Sequence, residues 1–548
     1  MALRVLVILG LSAIATRAGK QCPPAKDEQP TRLTQLTQLV QISQGSLLGS
    51  TSSTADGTRY YQFLGIPYAK PPLGKLRFRA PEDPEPWSGV RNATVHGPTC
   101  QVGTEGGSEN CLFINVFTPQ LATTGSNSCL LPVMVYIHGG AFVEGSGNIS
   151  PGHLMDYRVV VASINYRLNV FGFLSINGTD APGNAGLKDQ SAALRWVQKN
   201  IAQFGGDPGS VTIFGESAGG ASVHYNILSP MSKGLFHRAI SESGSALNPW
   251  AFVRNSEARA RRLGELLGHA TSSAQELLQA LREAPADQLS GALGQVLTAE
   301  ENERLLAFPF VPSLEFPRSG ETPFLPHEPL YMEQRGLFNK VPYITGVTAN
   351  ESLIFVQQRF EMQASYWQQI NNDLEQVVPV DLGLTKGSDE SLEVSRKVKE
   401  FYFGGESISE ATMSRWVALQ TDLLFVTGVV QTSHAHARLS TSATYNYQFV
   451  YGIAYHTMEL ASVLYGGQVH GQSSEDARLA RLLGGLWTSF SRTGVPSVEG
   501  EVAWQAVSKG SFPYLQVSTT LALKRDLEKR RMDFWFDIYH NYSNYTAS

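Results

Sequence analysis

Gly215-Glu-Ser-Ala-Gly219 follows an apolar run, Val211-Thr-Ile-Phe214, and leads straight into a helix-like stretch from Gly220 to Leu228. A serine at a tight strand-to-helix bend presents its Oγ above the sheet edge, and flanking glycines tolerate the crowded backbone. Ser217 is therefore a candidate nucleophile. The next N–H, on Ala218, falls at a helix N-terminus, where positive partial charge stabilises a tetrahedral oxyanion. Tyr136-Ile-His-Gly-Gly-Ala-Phe142 is a second such segment. Two glycines leaving a strand end bring backbone close to a reacting carbonyl, so Gly140 and Ala141 would add their N–H groups to that of Ala218. The chemistry implied is acyl transfer through a serine, which needs no cofactor. Taken singly, each segment also reads as an ordinary glycine turn, and His138 as an orienting or core histidine.

The elements that must hold these segments are legible as bounded apolar runs of buried-strand length: Pro132 to Ile137, Arg158 to Ile164 and Val211 to Phe214. Between the second and third, Ala192, Ala193, Trp196, Val197 and Ile201 recur at helical spacing within residues 184–204. Strands alternating with helices predict an α/β fold, a mostly parallel sheet with helices on its faces. Residues 255–300 are rich in Ala, Leu, Glu and Arg, with a capping box at Ser273-x-x-Glu276 and Gly268 closing the preceding helical stretch. Strand-like runs resume at 341–345 and 444–449, so the helical stretch reads as an insertion. With no repeat and no low-complexity linker, one large domain is expected.

Composition narrows the function classes. The 548 residues are 42% hydrophobic and only 17% charged, against roughly 25% in an average globular chain. That excludes a disordered or coiled-coil protein. Lys plus Arg is 43 and Asp plus Glu is 48, a net charge of −5, so there is no basic surplus for a phosphate backbone and nucleic acid is not an expected partner. No Cys/His pair has zinc-ligand spacing backed by a second pair, so no metal is expected.

The N-terminus reads Met-Ala-Leu-Arg and then an apolar run from Val5 to Ala15, the layout of a secretory signal peptide ending by residue 18. No later run reaches the roughly 18 apolar residues of a membrane span, and no hydrophobic tail or retention signal ends the chain. The expectation is a secreted, extracellular protein whose residues 19–548 form the single domain. Asn-x-Ser/Thr sequons at Asn92, Asn148, Asn177, Asn350, Asn541 and Asn544 suit that route. The four cysteines permit three pairings. A Gly-rich segment of ten residues between Cys100 and Cys111 favours a short disulfide loop there, leaving Cys22 and Cys129.

Beyond these readings, the chain resembles the carboxylesterase/cholinesterase family of α/β-hydrolases over nearly everything after the leader. The likeness is carried in order by Phe63-Leu-Gly-Ile-Pro-Tyr-Ala-Lys-Pro-Pro-Leu-Gly74, Ser108-Glu-Asn-Cys-Leu-Phe-Ile-Asn-Val116, Asn165-Tyr-Arg-Leu168, Gly186-Leu-Lys-Asp-Gln190, Phe204-Gly-Gly-Asp-Pro208 and Gly215-Glu-Ser-Ala-Gly219. The resemblance implies a Ser, Glu, His order. Gly346-Val-Thr-Ala-Asn-Glu351-Ser352 matches the acid segment except that Ser352 replaces a usual glycine, which makes Glu351 the acid. Gly452-Ile-Ala-Tyr-His456-Thr-Met-Glu459-Leu460 matches the histidine segment, although Thr457 stands where Gly or Ala is usual and Leu460 is not aromatic. His434, His436, His470 and His540 read as surface or packing residues. By the same resemblance Arg77 pairs with Glu109 and Arg167 with Asp189. A glycan on Asn350, beside the acid, would block the gorge, so the expected acceptors are Asn92, Asn148, Asn177, Asn541 and Asn544.

A secreted carboxylic-ester hydrolase acting on small to medium apolar esters is the function so implied, with Ser217, Glu351 and His456 as triad. The family also holds adhesion modules that lack triad members, but here all three positions are filled. The Cys100–Cys111 loop has no aromatic residue to meet a quaternary ammonium, which disfavours acetylcholine. The His-Gly-Gly-Ala-Phe form is similar to arthropod esterases of hormones, pheromones or xenobiotics, while Glu216 stands where juvenile-hormone esterases usually carry Gln. Phe142, Trp250, Phe308, Phe310 and Phe355 are pocket candidates, with core packing favoured for each. Oligomeric state is not set by the sequence.

Overall fold

The computed structural model describes residues 38–101, 106–122, 129–303, 306–316, 320–362, 365–464 and 473–543. The expected leader, Cys22, His470 and Asn544 lie outside the described residues.

Eleven strands form one sheet: β1 Ser50–Ser53, β2 Arg59–Pro67, β3 Phe113–Thr118, β4 Leu131–Ile137, β5 Val160–Ile164, β6 Gly206–Glu216, β7 Arg238–Glu242, β8 Tyr343–Thr348, β9 Thr444–Phe449, β10 Pro513–Val517 and β11 Leu521–Arg525. Across the sheet they run β11-β10-β9-β8-β7-β6-β4-β5-β3-β2-β1. The seven from β10 to β5 are mutually parallel, and the outer strands at both ends pair antiparallel. A separate three-stranded sheet is built from Leu39–Ile42, Gly45–Leu48 and Val90–Asn92.

Central strands must be apolar on both faces, because helices cover both. The chain obeys this: β5, Val-Val-Ala-Ser-Ile, and β8 are buried at every position, whereas β1 at the edge alternates half-buried with exposed. Alternate side chains then sort into two cores. Val133, Val135 and Ile137 of β4 face helices α1 (Ala185–Asn200) and α2 (Ala218–Leu228), while Met134 and Tyr136 join Leu483, Leu486 and Trp487 of a later helix, Ser474–Thr493.

The helical insertion forms as Ser256–Leu266, Ala274–Glu283 and Ala286–Ala292. Ser273 caps as expected, accepting from Glu276 N at 3.3 Å. The reciprocal half of the box does not close, since the Glu276 carboxylate takes the Thr271 hydroxyl instead. Strand edges moved where backbone geometry intervened. β5 starts at Val160 rather than at residue 158 because Arg158, at φ 53°, closes a 3-10 turn first.

The Cys100–Cys111 disulfide is present. Beside it the Arg77 guanidinium donates to Glu109 through Nε and Nη2 (2.7 and 2.5 Å) and through Nη1 to the carbonyls of Leu281, Arg282 and Ala284, tying the insertion to the loop. Arg167 and Asp189 form a second buried bidentate pair at 2.7 and 2.6 Å. Both are the pairs that the family resemblance implied.

Candidate active site

Every residue singled out for chemistry leaves the C-terminal end of a parallel strand, where open α/β sheets place their ligands. Gly140 and Ala141 follow β4, Ser217 follows β6, Glu351 follows β8 and His456 follows β9. Register aligns these ends: Ile137 pairs with Gly215, Glu216 with Glu242, Glu242 with Gly346, and Thr348 with Phe449.

At the bend the backbone strain sits on Ser217 itself, at φ 59° and ψ −124°. Its N–H donates to Glu242 O (2.8 Å) and its carbonyl accepts from Ala221 N (2.9 Å), which fixes the bend from both sides. The flanking glycines supply room. A Cβ at Gly219 would strike Ile137 O, and one at Gly220 would come to 2.6 Å from Glu242 O. The sequence reading put the tolerance in the glycines; the structure divides it, with space at the glycines and an unusual φ at the serine.

The loop after β4 carries three successive positive φ values, 96° at Gly140, 56° at Ala141 and 63° at Phe142. Its turn closes through Val143 and Glu144 N–H groups onto Gly140 O. The N–H groups of Gly140 and Ala141 take no part in that closure, and Ala218, first in α2, has no acceptor within its own helix. His138 is packing: it is buried, stacked on Tyr166 at 4.4 Å, bonded through Nδ1 to Gly139 O, and burial lowers its pKa to about 4.

Glu351 is fully buried and meets three donors. Oε1 accepts from Thr348 N (2.6 Å) and Ser243 Oγ (2.6 Å), and Oε2 lies 2.6 Å from His456 Nδ1. The His456 loop is strained, with Ala454 at φ 46° and the β-branched Thr457 at φ 77°. The imidazole is walled by Phe425 (4.8 Å) and Phe355 (5.4 Å). Its Nε2 lies 3.1 Å from Glu216 Oε1, next to the serine. Among the described residues no hydrogen bond joins Nε2 to Ser217 Oγ, a contact that such sites often complete only with substrate bound. Asn350, beside the acid, uses its Nδ2 on Ile453 O.

Three further glutamates crowd this pair, and sequence reasoning assigned them no role. Glu216, Glu242 and Glu459 are buried. Burial, reinforced by the Glu351 charge, pushes Glu216 well above the usual carboxylate range, and Glu459 is pushed the same way by burial and then by Glu351, Glu242 and Glu216. Burial also raises Glu242 to about 8, against the lowering effect of the bond from Trp487 Nε1 at 2.6 Å. Adjacency to Ser217 was the available signal for Glu216; Ser243 and Glu242 had none.

A stability prediction follows from Glu242. Its folded pKa of about 8 exceeds its ordinary 4.5, so the folded state retains a proton that the unfolded state releases. Its stabilising contribution is complete below pH 4.5 and is lost as pH rises towards 8, with a slope of about 1.4 kcal/mol per pH unit. Glu242→Gln keeps an acceptor for Trp487 and should remove that slope. Urea midpoints of wild type and variant should diverge from pH 5 to pH 8 in favour of the variant; parallel curves would show that Glu242 titrates normally.

Of the pocket candidates, Phe142 and Phe310 are core residues. Trp250 and Phe308 line a cavity of about 430 Å³ that also touches Leu247, Leu423 and Leu424. Ser217 is not among its lining residues. Trp250 contacts both Phe142 (6.4 Å) and Phe425 (5.8 Å), and Phe425 contacts His456 (4.8 Å), so Trp250 and Phe425 link the cavity lining to His456 by a run of aromatic contacts. The competing histidines are accounted for where described: His434 packs on Phe512, His436 is buried and His540 is exposed.

The architecture and the loops at the strand ends are those of an α/β-hydrolase, and comparison with known proteins specifies the family. The carboxylesterase family matches residues 36–535. Esterase FE4 of Myzus persicae is 35% identical over 91% of this chain and 93% of its own length. Acylcarnitine hydrolase of Rattus norvegicus is 36% identical over 87% and 86%. The solved structure of juvenile hormone esterase from Manduca sexta, with OTFP covalently attached, superposes with a TM-score of 0.82 at 29% identity, covering 92% of this chain and 99% of that one. The chain belongs to the carboxylesterase family and is a carboxylic ester hydrolase.

Proposed function

We propose that Ser217 attacks the carbonyl of a carboxylic ester, His456 takes its proton through Nε2, and Glu351 holds the ring at Nδ1 and stabilises its cationic form. The N–H groups of Gly140, Ala141 and Ala218 receive the oxyanion, each donor contributing about 3 to 4 kcal/mol. Collapse breaks the C–O bond to the alcohol, which leaves with the proton returned by the His456 imidazolium, and an acyl-enzyme remains. Water, deprotonated by the same histidine, then releases the acid. The observation that carries this reading is the 2.6 Å Glu351–His456 contact beside the strained serine.

Phe355 and Phe425 on His456 favour apolar esters of small to medium size. The names of the relatives, an acylcarnitine hydrolase and a juvenile hormone esterase among them, span ester classes, and Glu216 before the serine is the feature that argues against a juvenile-hormone substrate. The same reading includes secretion and one domain. No helix of the described residues is long and apolar enough to cross a membrane. Asn92, Asn177 and Asn541 are exposed and suited to glycans, whereas Asn148 turns inward, its Nδ2 on Gly97 O and its Oδ1 buried.

The test is to treat the secreted protein with an organophosphate ester and map the adduct. Labelling of the peptide bearing Ser217, together with hydrolysis of a short-chain aryl ester, is the expected result. Folded protein that shows neither would be a non-catalytic binding module.

A further inference from the structure

Two turns beyond Ser217 on α2, His224 meets Glu333 of α3 (Pro329–Arg335) at 2.5 Å from Nε2 to Oε1, with His436 of α4 (Thr427–Leu439) 3.3 Å from the same oxygen. All three are buried. Two imidazoles and a carboxylate are a plausible metal set by type, but the hydrogen bonds oppose it. His224 Nδ1 accepts the Ala246 N–H at 3.0 Å, so a neutral ring carries its proton on Nε2, the atom that a metal would need. Burial, before any other cause, lowers the pKa of His224, and the two histidines outweigh the desolvation of Glu333 and hold it at about 2. In either charge state the geometry is the same: His224 Nε2–H donates to the buried Glu333 carboxylate.

What that donor fixes is the turn after β7. With Nε2 tied to Glu333, Nδ1 faces Ala246 N and Ser245 Oγ, the latter also bonded to Thr432 Oγ1 (2.8 Å). The turn is closed by Asn248 Oδ1 accepting from Ser245 N at 2.6 Å. From there two side chains reach a π-helical segment, Asp422–Val426. Such a segment breaks the usual i to i−4 ladder and leaves carbonyls in need of donors. Asn248 Nδ2 takes Phe425 O at 2.9 Å and Trp250 Nε1 takes Leu424 O at 2.8 Å. The Phe425 ring between them lies on His456.

We propose that the Glu333–His224 pair is a positioning device for substrate selectivity: it sets the 245–250 turn, and through Asn248 and Trp250 it fixes the run of aromatic contacts between His456 and the 430 Å³ cavity. The inference rests on the ester-hydrolase reading of Ser217 and His456. Neither Glu333 nor His224 touches substrate. Loosening these contacts lets longer acyl chains reach the cavity, so the effect falls on the ratio of long-chain to short-chain esters, through KM more than kcat.

The experiment compares kcat/KM for aryl acetate and aryl octanoate esters, with organophosphate titration counting active Ser217. Glu333→Ala removes the partner of His224 and should shift the chain-length ratio by roughly tenfold. Glu333→Gln keeps an acceptor for His224 Nε2 and should stay within about twofold of wild type. If Glu333→Ala fails to fold, Asn248→Ala, which frees the Phe425 carbonyl and leaves the buried pair intact, must give the same shift. An unchanged ratio with a full titre overturns the proposal, and so does a Glu333→Gln shift equal to that of Glu333→Ala. Absence of titratable serine in the wild type would instead overturn the hydrolase reading.

Discussion

Ser217→Ala should lower kcat for an aryl ester by about 10⁶, the loss seen when one member of a cooperating triad is removed. The fold gives reason to expect a clean result. Ser217 makes its structural bonds through its backbone, N–H to Glu242 O and carbonyl to Ala221 N, and both survive the substitution. Alanine also suffers the same φ of 59° as serine, so the strain of about 1 to 3 kcal/mol stays in the folded state. Stability should therefore move little while activity disappears. Ser217→Gly is the informative companion: it loses activity equally, yet should unfold later because glycine occupies that φ without strain. Residual catalysis above the uncatalysed rate, from oxyanion donors and binding, should persist in both. A loss of only a few fold in Ser217→Ala would mean that another group attacks the carbonyl.

Much of this site was legible in sequence because its components are local. The apolar run to Phe214, the serine and the start of α2 are consecutive residues, and a local segment can be judged by its own spacing. The strand runs at 132–137 and 444–449 coincide with β4 and β9 to within a residue, the first because a strand buried on both faces reads as an apolar run, the second because Tyr445, Tyr447 and Phe449 alternate with Thr444, Asn446 and Gln448. Glu351 and His456 came through the family resemblance, each at the end of a strand that could be located. The glutamate cluster was beyond reach for a physical reason. Glu216 and Glu242 meet through the register of adjacent parallel strands, Glu459 joins them from the helix Met458–Leu464, and a buried carboxyl with a raised pKa has the same letter as a solvated one. His224, Glu333 and His436 were hidden likewise, contributed by helices separated by more than a hundred residues. His436 does pack, stacked on Phe338 at 4.2 Å, and the packing reading concealed its neighbours.

His456 has two carboxyl groups within reach, and that ambiguity yields the sharpest remaining prediction. Glu351 sits at Nδ1 and Glu216 at Nε2. If Glu351 is the orienting anion, Glu351→Gln should cost about 10⁴ in kcat, as a carboxylate-to-amide change does where it reverses the imidazole tautomer. Its surroundings sharpen the loss. Thr348 N–H, Ser243 Oγ–H and His456 Nδ1–H all point at carboxylate oxygens, and one amide oxygen cannot receive three donors arriving at both ends of the group. With the amide oxygen kept on Thr348 N–H and Ser243 Oγ–H, the amide NH2 faces Nδ1 and holds the ring in the tautomer that carries its proton on Nε2, where it can no longer accept from Ser217. Glu216→Gln should behave differently. Burial and the Glu351 charge already favour its neutral acid, so the amide alters little of the charge that His456 feels, and the loss should stay within about tenfold. Parallel measurement of kcat, organophosphate reactivity and denaturation midpoint in the two variants separates the roles. Equal losses would place the working anion at Nε2, where it would compete with Ser217 for the proton-accepting nitrogen, and a Glu351-based triad could not stand.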